Sequence, residues 1–193
     1  MALLDDRNFE KHSNFETFKR LDNDMEEKIE FGDGHILISS STSIIHNILI
    51  KRISREIDKV LSLKGCESFT EAIELIMDVE DKIYRFKPDL FILCKENLNL
   101  VGQSIKSVPP LIFEVVSSSN ANHDTVYKRK YYADCGVIEY CLVYQDGTIE
   151  QLRLIDNMYR TVSVLTDGIY KSISFPTVTF DVSIIFQDLD IYK

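Results

Sequence analysis

Hydrophobic positions along the chain switch between helical and two-residue spacing, and the order of the switches sets the first expectation about the fold. Phe15, Phe18 and Leu21 recur at helical spacing and predict a short amphipathic helix from Ser13 to Asp24. From Glu27 to Ser39 the period shortens. Ile29-Glu30-Phe31 and His35-Ile36-Leu37-Ile38 flank Gly32-Asp33-Gly34, whose Asp-Gly pair supplies the positive φ angles of a tight hairpin. The polar cluster Ser39 to Ser43 suits a helix N-cap. Ile44, Ile45, Ile48, Leu49, Ile53, Ile57, Val60 and Leu61 then keep helical spacing, predicting the longest helix from Ser43 to about Leu63.

The remainder reads mainly as strands. Ala72 to Val79 and Lys87 to Cys94 are expected strands, and Leu111-Ile112-Phe113-Glu114-Val115-Val116 is a nearly continuous apolar run of the buried-strand type. His123 to Cys135 predicts a helix carrying Val126, Tyr131 and Ala133, with Gly136 as its stop. Strands follow at Ile138 to Tyr144, Ile149 to Ile155, Tyr159 to Leu165, Ile169 to Phe175 and Phe180 to Phe186. This order predicts an α/β (α+β) architecture, a mixed sheet flanked by helices with antiparallel hairpins at the C-terminal end. At 193 residues, with no repeat and no linker-like stretch, one domain over 1–193 is expected.

Charge complicates any nucleic-acid partner. The formal net charge is −9, unlike a protein that coats phosphates non-specifically. Basic residues do gather locally, in Lys128-Arg129-Lys130 and in Lys51-Arg52 with Arg55, so a basic cleft on an acidic body is compatible with the sequence. Cys66, Cys94, Cys135 and Cys141 are scattered without a C-x-x-C pair, and the expectation is buried reduced thiols in a cytoplasmic protein. Neither a basic-then-apolar leader nor a long apolar run is present, so no membrane association is expected.

Two acids interrupt apolar strands: Asp89, after Pro88, and Glu114, after Leu111-Ile112-Phe113. A carboxylate in such a run is costly to bury without a partner, and a cation is one such partner. Paired carboxylates with a backbone carbonyl make a hard-oxygen site suited to Mg²⁺ or Mn²⁺, whose chemistry is polarising a phosphoryl oxygen and activating water. The bland alternative is a salt-bridged pair that structures strand ends.

Pro88-Asp89 followed by Glu114 resembles the signature of the PD-(D/E)XK nuclease superfamily, although the Lys usual two residues after the Glu is replaced by Val116. One branch breaks the pattern in the same way: the "putative restriction endonuclease" family of bacteria, long catalogued as a domain of unknown function and abundant in cyanobacteria, carries its Lys on the following helix. Glu30-Phe31-Gly32-Asp33-Gly34 is similar to that family's opening hairpin, and His46 to the His that starts its long helix. Pro109-Pro110-Leu111-Ile112-Phe113-Glu114-Val115-Val116-Ser117 is similar to its central strand. Asp124, Lys128, Tyr132, Gly136-Val137 and Glu139-Tyr140 match its next segment in type and spacing, while Cys141 departs from the Trp common there. The resemblance runs from Phe15 to Phe186.

It implies a metal-dependent endonuclease acting on DNA, with Asp89, Glu114 and Lys128 as catalytic residues. Asp89, Glu114 and the Val115 carbonyl would hold Mg²⁺ or Mn²⁺, and a homodimer would suit the cutting of two strands. Asp124, Lys128 and Tyr132, at i, i+4 and i+8, would share one helix face. Asp124 is as readily an ion-pair partner of Lys128 as a ligand. His46 faces the site or packs, and Glu30 approaches the cation or is solvated. A triad of Ser117, His123 and Asp124 is rejected because such close neighbours rarely converge and no nucleophile elbow is present. Tyr127, Tyr131 and Tyr132 stack on bases or, more ordinarily, pack. The competing reading is a catalytically inactive nuclease-fold binding or assembly module.

Overall fold

The computed structural model describes residues 6–39, 43–61, 65–117 and 123–192, and their side chains from residue 14 onward apart from 123. Helix α1 (Asp6–Asp24) extends further toward the N-terminus than predicted and packs on the hairpin β1 (Lys28–Gly32) and β2 (His35–Ser39). Phe18 buries against Ile29 and Phe31, with Phe15 5.2 Å from the Phe31 ring. Helix α2 (Ile44–Leu61) starts at a cap in which the His46 N–H donates to Ser43 Oγ at 3.1 Å. Of the other residues in the predicted cap, Ser39 ends β2, and residues 40–42, like Leu63, lie outside the described residues.

The chain continues through β3 (Cys66–Thr70), β4 (Leu75–Ile76), β5 (Tyr84–Phe86), β6 (Leu90–Cys94), β7 (Leu100–Val101), β8 (Ser104–Lys106) and β9 (Leu111–Val116). A π-helical turn, His123–Lys128, leads into α3 (Arg129–Cys135), followed by β10 (Glu139–Tyr144), β11 (Ile149–Ile155), β12 (Met158–Leu165), β13 (Ile169–Lys171), β14 (Thr179–Asp181) and α4 (Val182–Phe186). The last element corrects an expectation. Phe180 to Phe186 is not one strand, because Asp181 accepts the Ser183 N–H at 2.9 Å and caps a short helix instead.

The central sheet has the order β12-β11-β10-β9-β6-β3, with β9 and β10 parallel and the other pairs antiparallel. A second sheet, β2-β1-β5-β4-β8-β7, is also mixed, and β13 pairs with β14. Alternation along β9 divides the core. Leu111, Phe113 and Val115 face α2, α4 and the β13–β14 pair, while Ile112 and Val116 face the second sheet and α3. Arg52, expected in a basic patch, instead donates to the Ile185 and Gln187 carbonyls at 2.9 and 2.6 Å and ties α2 to the end of α4. No helix among the described residues is long and apolar enough to cross a membrane.

The cysteine expectation fails for one pair. Cys66 and Cys94 are register partners across β3 and β6 and form a disulfide. Cys135 and Cys141 are free and buried, and burial pushes the Cys135 thiol up to about 12. Native protein at pH 8 is therefore expected to leave a thiol reagent unreacted. Denaturation without reductant should expose two thiols, and denaturation with reductant all four.

Candidate functional site

Strand pairing assembles the site. Leu90 is opposite Phe113 at the end of the β6–β9 pair, so Asp89 falls one step further, beside Glu114. Thr70 is opposite Leu90 in the β3–β6 pair, so Glu71 falls on the other side of Asp89. Glu71 and Asp89, each one residue outside its strand, and Glu114 within β9 thus occupy neighbouring positions along the register. Asp89 and Glu114 are 3% and 1% exposed, whereas Glu71 is half-buried in the turn after β3.

Asp89 is held from three directions. Its Oδ1 accepts from Lys28 Nζ at 2.9 Å, and its Oδ2 accepts the Val115 N–H at 2.8 Å. His46 Nε2 is 2.9 Å from the same Oδ2, so the imidazole donates through Nε2. Burial opposes the charge on Asp89, but Lys28 and His46 outweigh it and hold the carboxyl well below the usual range. Lys28 rises in return: burial would lower it, and Asp89 more than compensates.

Lys128 is the second cation of the site, 2% exposed. Its Nζ donates to Glu114 Oε1 at 3.0 Å and lies 2.9 Å from Glu30 Oε2 and 3.5 Å from Asp124 Oδ1. Tyr132 donates to the same Glu114 oxygen at 2.7 Å, and the Lys87 N–H donates to Glu30 Oε1 at 2.7 Å. Tyr140 donates to the Asp124 carbonyl at 3.0 Å and fixes the π-helical turn. Burial pushes Glu114 and Asp124 above the usual carboxylate range despite Lys128. The Lys128 ammonium is raised because Glu114, Glu30 and Asp124 overcome its burial.

The structure brings Glu30, His46, Asp89, Glu114, Asp124, Lys128 and Tyr132 into one buried cluster. Val115 joins the cluster through its N–H, which donates to Asp89. The helix that delivers Lys128 is turned against its apparent pattern: Asp124, Lys128 and Tyr132 face inward, while Val126 and Tyr127 are exposed. Lys128 is accordingly not part of a basic surface, and its neighbour Lys130 pairs with Asp134 at 2.6 Å. Tyr131 packs against Tyr84 and Phe86, and the Tyr132 ring packs on Phe86 while its hydroxyl holds Glu114. Gly32 meets the Tyr131 ring so closely that an added Cβ would lie 2.6 Å from Cε2. Ser118 and Ser119 lie outside the described residues.

Sequence reasoning missed Lys28 and Glu71. Lys28-Ile29-Glu30-Phe31 looks like a hairpin strand with one solvated face, yet its charged face is the one turned to the site. Glu71 becomes visible only once the pairing of β3 with β6 is known.

Four carboxylates of the cluster (Glu30, Asp89, Glu114 and Asp124) face two ammonium groups, leaving two formal negative charges when His46 is neutral. Glu30 Oε2 has only the Lys128 ammonium beside it, and His46 Nδ1 is buried and makes no hydrogen bond among the described residues. Donor atoms of His46, Glu71 and Asp89 lie within 4.8 Å of one another. An oxygen-rich donor set with surplus negative charge fits a divalent cation.

The mixed sheet flanked by helices is a nuclease fold of the restriction-endonuclease-like kind. A crystal structure from Anabaena variabilis, described as a putative nuclease belonging to DUF820, aligns with a TM-score of 0.68, covering 84% of this chain and 91% of that one at 16% identity. The model of the Uma2 family, described as putative restriction endonuclease, matches residues 15–183, and the chain belongs to that family. No curated protein matches it.

Proposed function

We propose that the chain is a divalent-cation-dependent nuclease that hydrolyses DNA phosphodiester bonds. One observation carries this reading: Asp89, just before β6, and Glu114, in β9, are both buried at neighbouring register positions, with Lys128 against Glu114. Asp89 and Glu114, with the Val115 carbonyl, would hold Mg²⁺ or Mn²⁺. A cation bound there supplies Lewis-acid polarisation of a phosphoryl oxygen and activation of water.

The chain's own groups do the rest. Lys28 and His46 keep Asp89 ionised and fix its rotamer, and Tyr132 fixes Glu114. Glu30 and Asp124 hold Lys128 charged within reach of Glu114, where its ammonium offers a counter-charge to phosphate oxygens. Two-strand cutting would call for a homodimer. A second reading, a nuclease-fold binding or assembly module without cleavage, is favoured by the depth of the cluster, since Asp89, Glu114 and Lys128 are all at most 3% exposed.

Incubating the protein with supercoiled plasmid in Mg²⁺, Mn²⁺ or EDTA decides between them. Cation-dependent nicking that drops by about 10²-fold or more in Asp89→Asn is expected. Nicking that survives EDTA, or an unaffected variant, would exclude the proposed chemistry.

A further inference from the structure

A phosphodiester approaching the acidic cluster needs positive charge to hold it, and the cluster's own ammonium groups are already paired. Lys28 is taken by Asp89, and Lys128 by Glu30, Glu114 and Asp124. A cleft of about 280 Å³ opens beside the cluster, between α2 and the turn after β3, lined by Asn47, Ile50, Lys51, Ser54, Thr70 and Glu71. Its inner end is Glu71, which reaches within 4.8 Å of the Asp89 carboxylate. Lys51 lines the same cleft from α2, roughly 8 Å further along the helix axis than His46, whose Nε2 touches Asp89. The cleft therefore joins an exposed cation to the edge of the buried site.

Within the basic run of α2, Lys51 is the member left for a ligand. Arg52 is turned to the carbonyls at the end of α4, and Arg55 and Lys59 share Glu56 at 3.8 and 2.5 Å. Lys51 is exposed and makes no hydrogen bond or ion pair among the described residues. Asn47 and Thr70 bring neutral donors to the same cleft, while Ser54 is engaged by Asp58 and Ser68. We propose that this cleft is a phosphate subsite, in which Lys51, with Asn47 and Thr70, holds a backbone phosphate of the DNA strand next to the one presented to Asp89 and Glu114. The assignment rests on the nuclease reading for its substrate. Lys51 is then a positioning residue: a phosphate contact fixes where the strand lies and reads no base sequence.

The test reads DNA binding rather than cleavage. Fluorescence anisotropy of labelled single-stranded and duplex oligonucleotides is followed on the full chain in Ca²⁺, an oxygen-binding cation that offsets the acidic site. Lys51→Glu should weaken binding by about tenfold or more and Lys51→Ala by about fivefold, with Lys51→Arg recovering most of the affinity. In Lys51→Ala the slope of log affinity against log salt should shrink by about 0.7 to 0.9, equally on unrelated sequences. Lys59→Glu makes the same charge change on the same helix outside the cleft and should stay within about twofold of wild type. Undiminished binding by Lys51→Glu, an equal loss in Lys59→Glu, or no DNA binding by wild type would overturn the subsite. Cation-dependent nicking by wild type together with undiminished binding by Lys51→Glu would overturn it while leaving the nuclease reading intact. Conversely, binding that depends on Lys51 in a protein that nicks no DNA would sink the nuclease reading and keep the cleft as a phosphate site.

Discussion

Lys128→Ala is expected to cost about 3–5 kcal/mol of folding stability at neutral pH, measured by urea denaturation, in addition to abolishing cleavage. The sequence alone would class Lys128 as a helix residue that can be removed without harm to the fold. The structure argues otherwise, because its ammonium is the shared counter-charge of Glu30, Glu114 and Asp124 in a site closed to water. Removing one member of such a buried group strands the others. The pH dependence follows from the direction of the shifts. Lys128 is raised, so its contribution is fully present below its ordinary value of 10.5 and is lost only above its raised value. Without it, the carboxylates rise further above their unfolded values, so the folded state binds more protons than the unfolded one. Glu114 and Asp124 are already raised in wild type, so stability of the variant should fall more steeply than that of wild type as pH rises from about 5 to 8.

Glu139→Ala should be comparably severe for a different reason. Glu139 is fully buried on the opposite face of the central sheet. Its Oε1 accepts from Gln151 Nε2 and from the Tyr170 hydroxyl, both at 2.7 Å. Its Oε2 accepts from Ser172 Oγ at 2.7 Å and from the Ile173 and Ser174 N–H groups at 2.9 and 2.8 Å. Truncation orphans two backbone donors and three side-chain donors at once, a loss of about 3–5 kcal/mol. The segment after β13 should become the first site of limited proteolysis, and Glu139→Gln should recover only part of the loss, since an amide brings a donor where an acceptor is required. Retention of wild-type urea midpoints by Glu139→Ala would show that this carboxylate does not latch the C-terminal segment to the sheet.

The two buried acids show how function and structure part within one sheet. Glu139 has both oxygens filled by neutral donors, which leaves no open lone pair aimed at a ligand. Glu114 sits in a cluster with more carboxylates than ammonium groups and is pushed up by burial, an arrangement that contributes little to folding and suits a cation.

Much of this was legible before the fold was known. The β1–β2 hairpin, the α2 periodicity, the apolar β9 run and the Gly136 stop follow from local pattern, and Gly136 does adopt the left-handed conformation at φ 84°. Asp89, Glu114 and Lys128 stood out through their strand context and their spacing. What stayed hidden depends on pairing between distant segments. Lys28 and Glu71 carry no local mark, the Cys66–Cys94 bond needs the β3–β6 register, and the inward face of the Lys128 helix contradicts its hydrophobic pattern because charge, not apolar surface, is what it buries. The helix at Val182 was misread because alternation through Phe180 concealed the Asp181 cap.

Single-turnover cleavage of plasmid DNA in Mn²⁺ by wild type and Glu114→Gln, with urea midpoints measured on the same preparations, tests the central claim most directly. Gln keeps a side-chain oxygen to accept from Lys128 and Tyr132 while removing the carboxylate charge, so the variant should still unfold cooperatively in urea while cleavage falls by at least about 10²-fold. Equal cleavage by both proteins, or no cleavage by wild type on single- or double-stranded DNA, would contradict it.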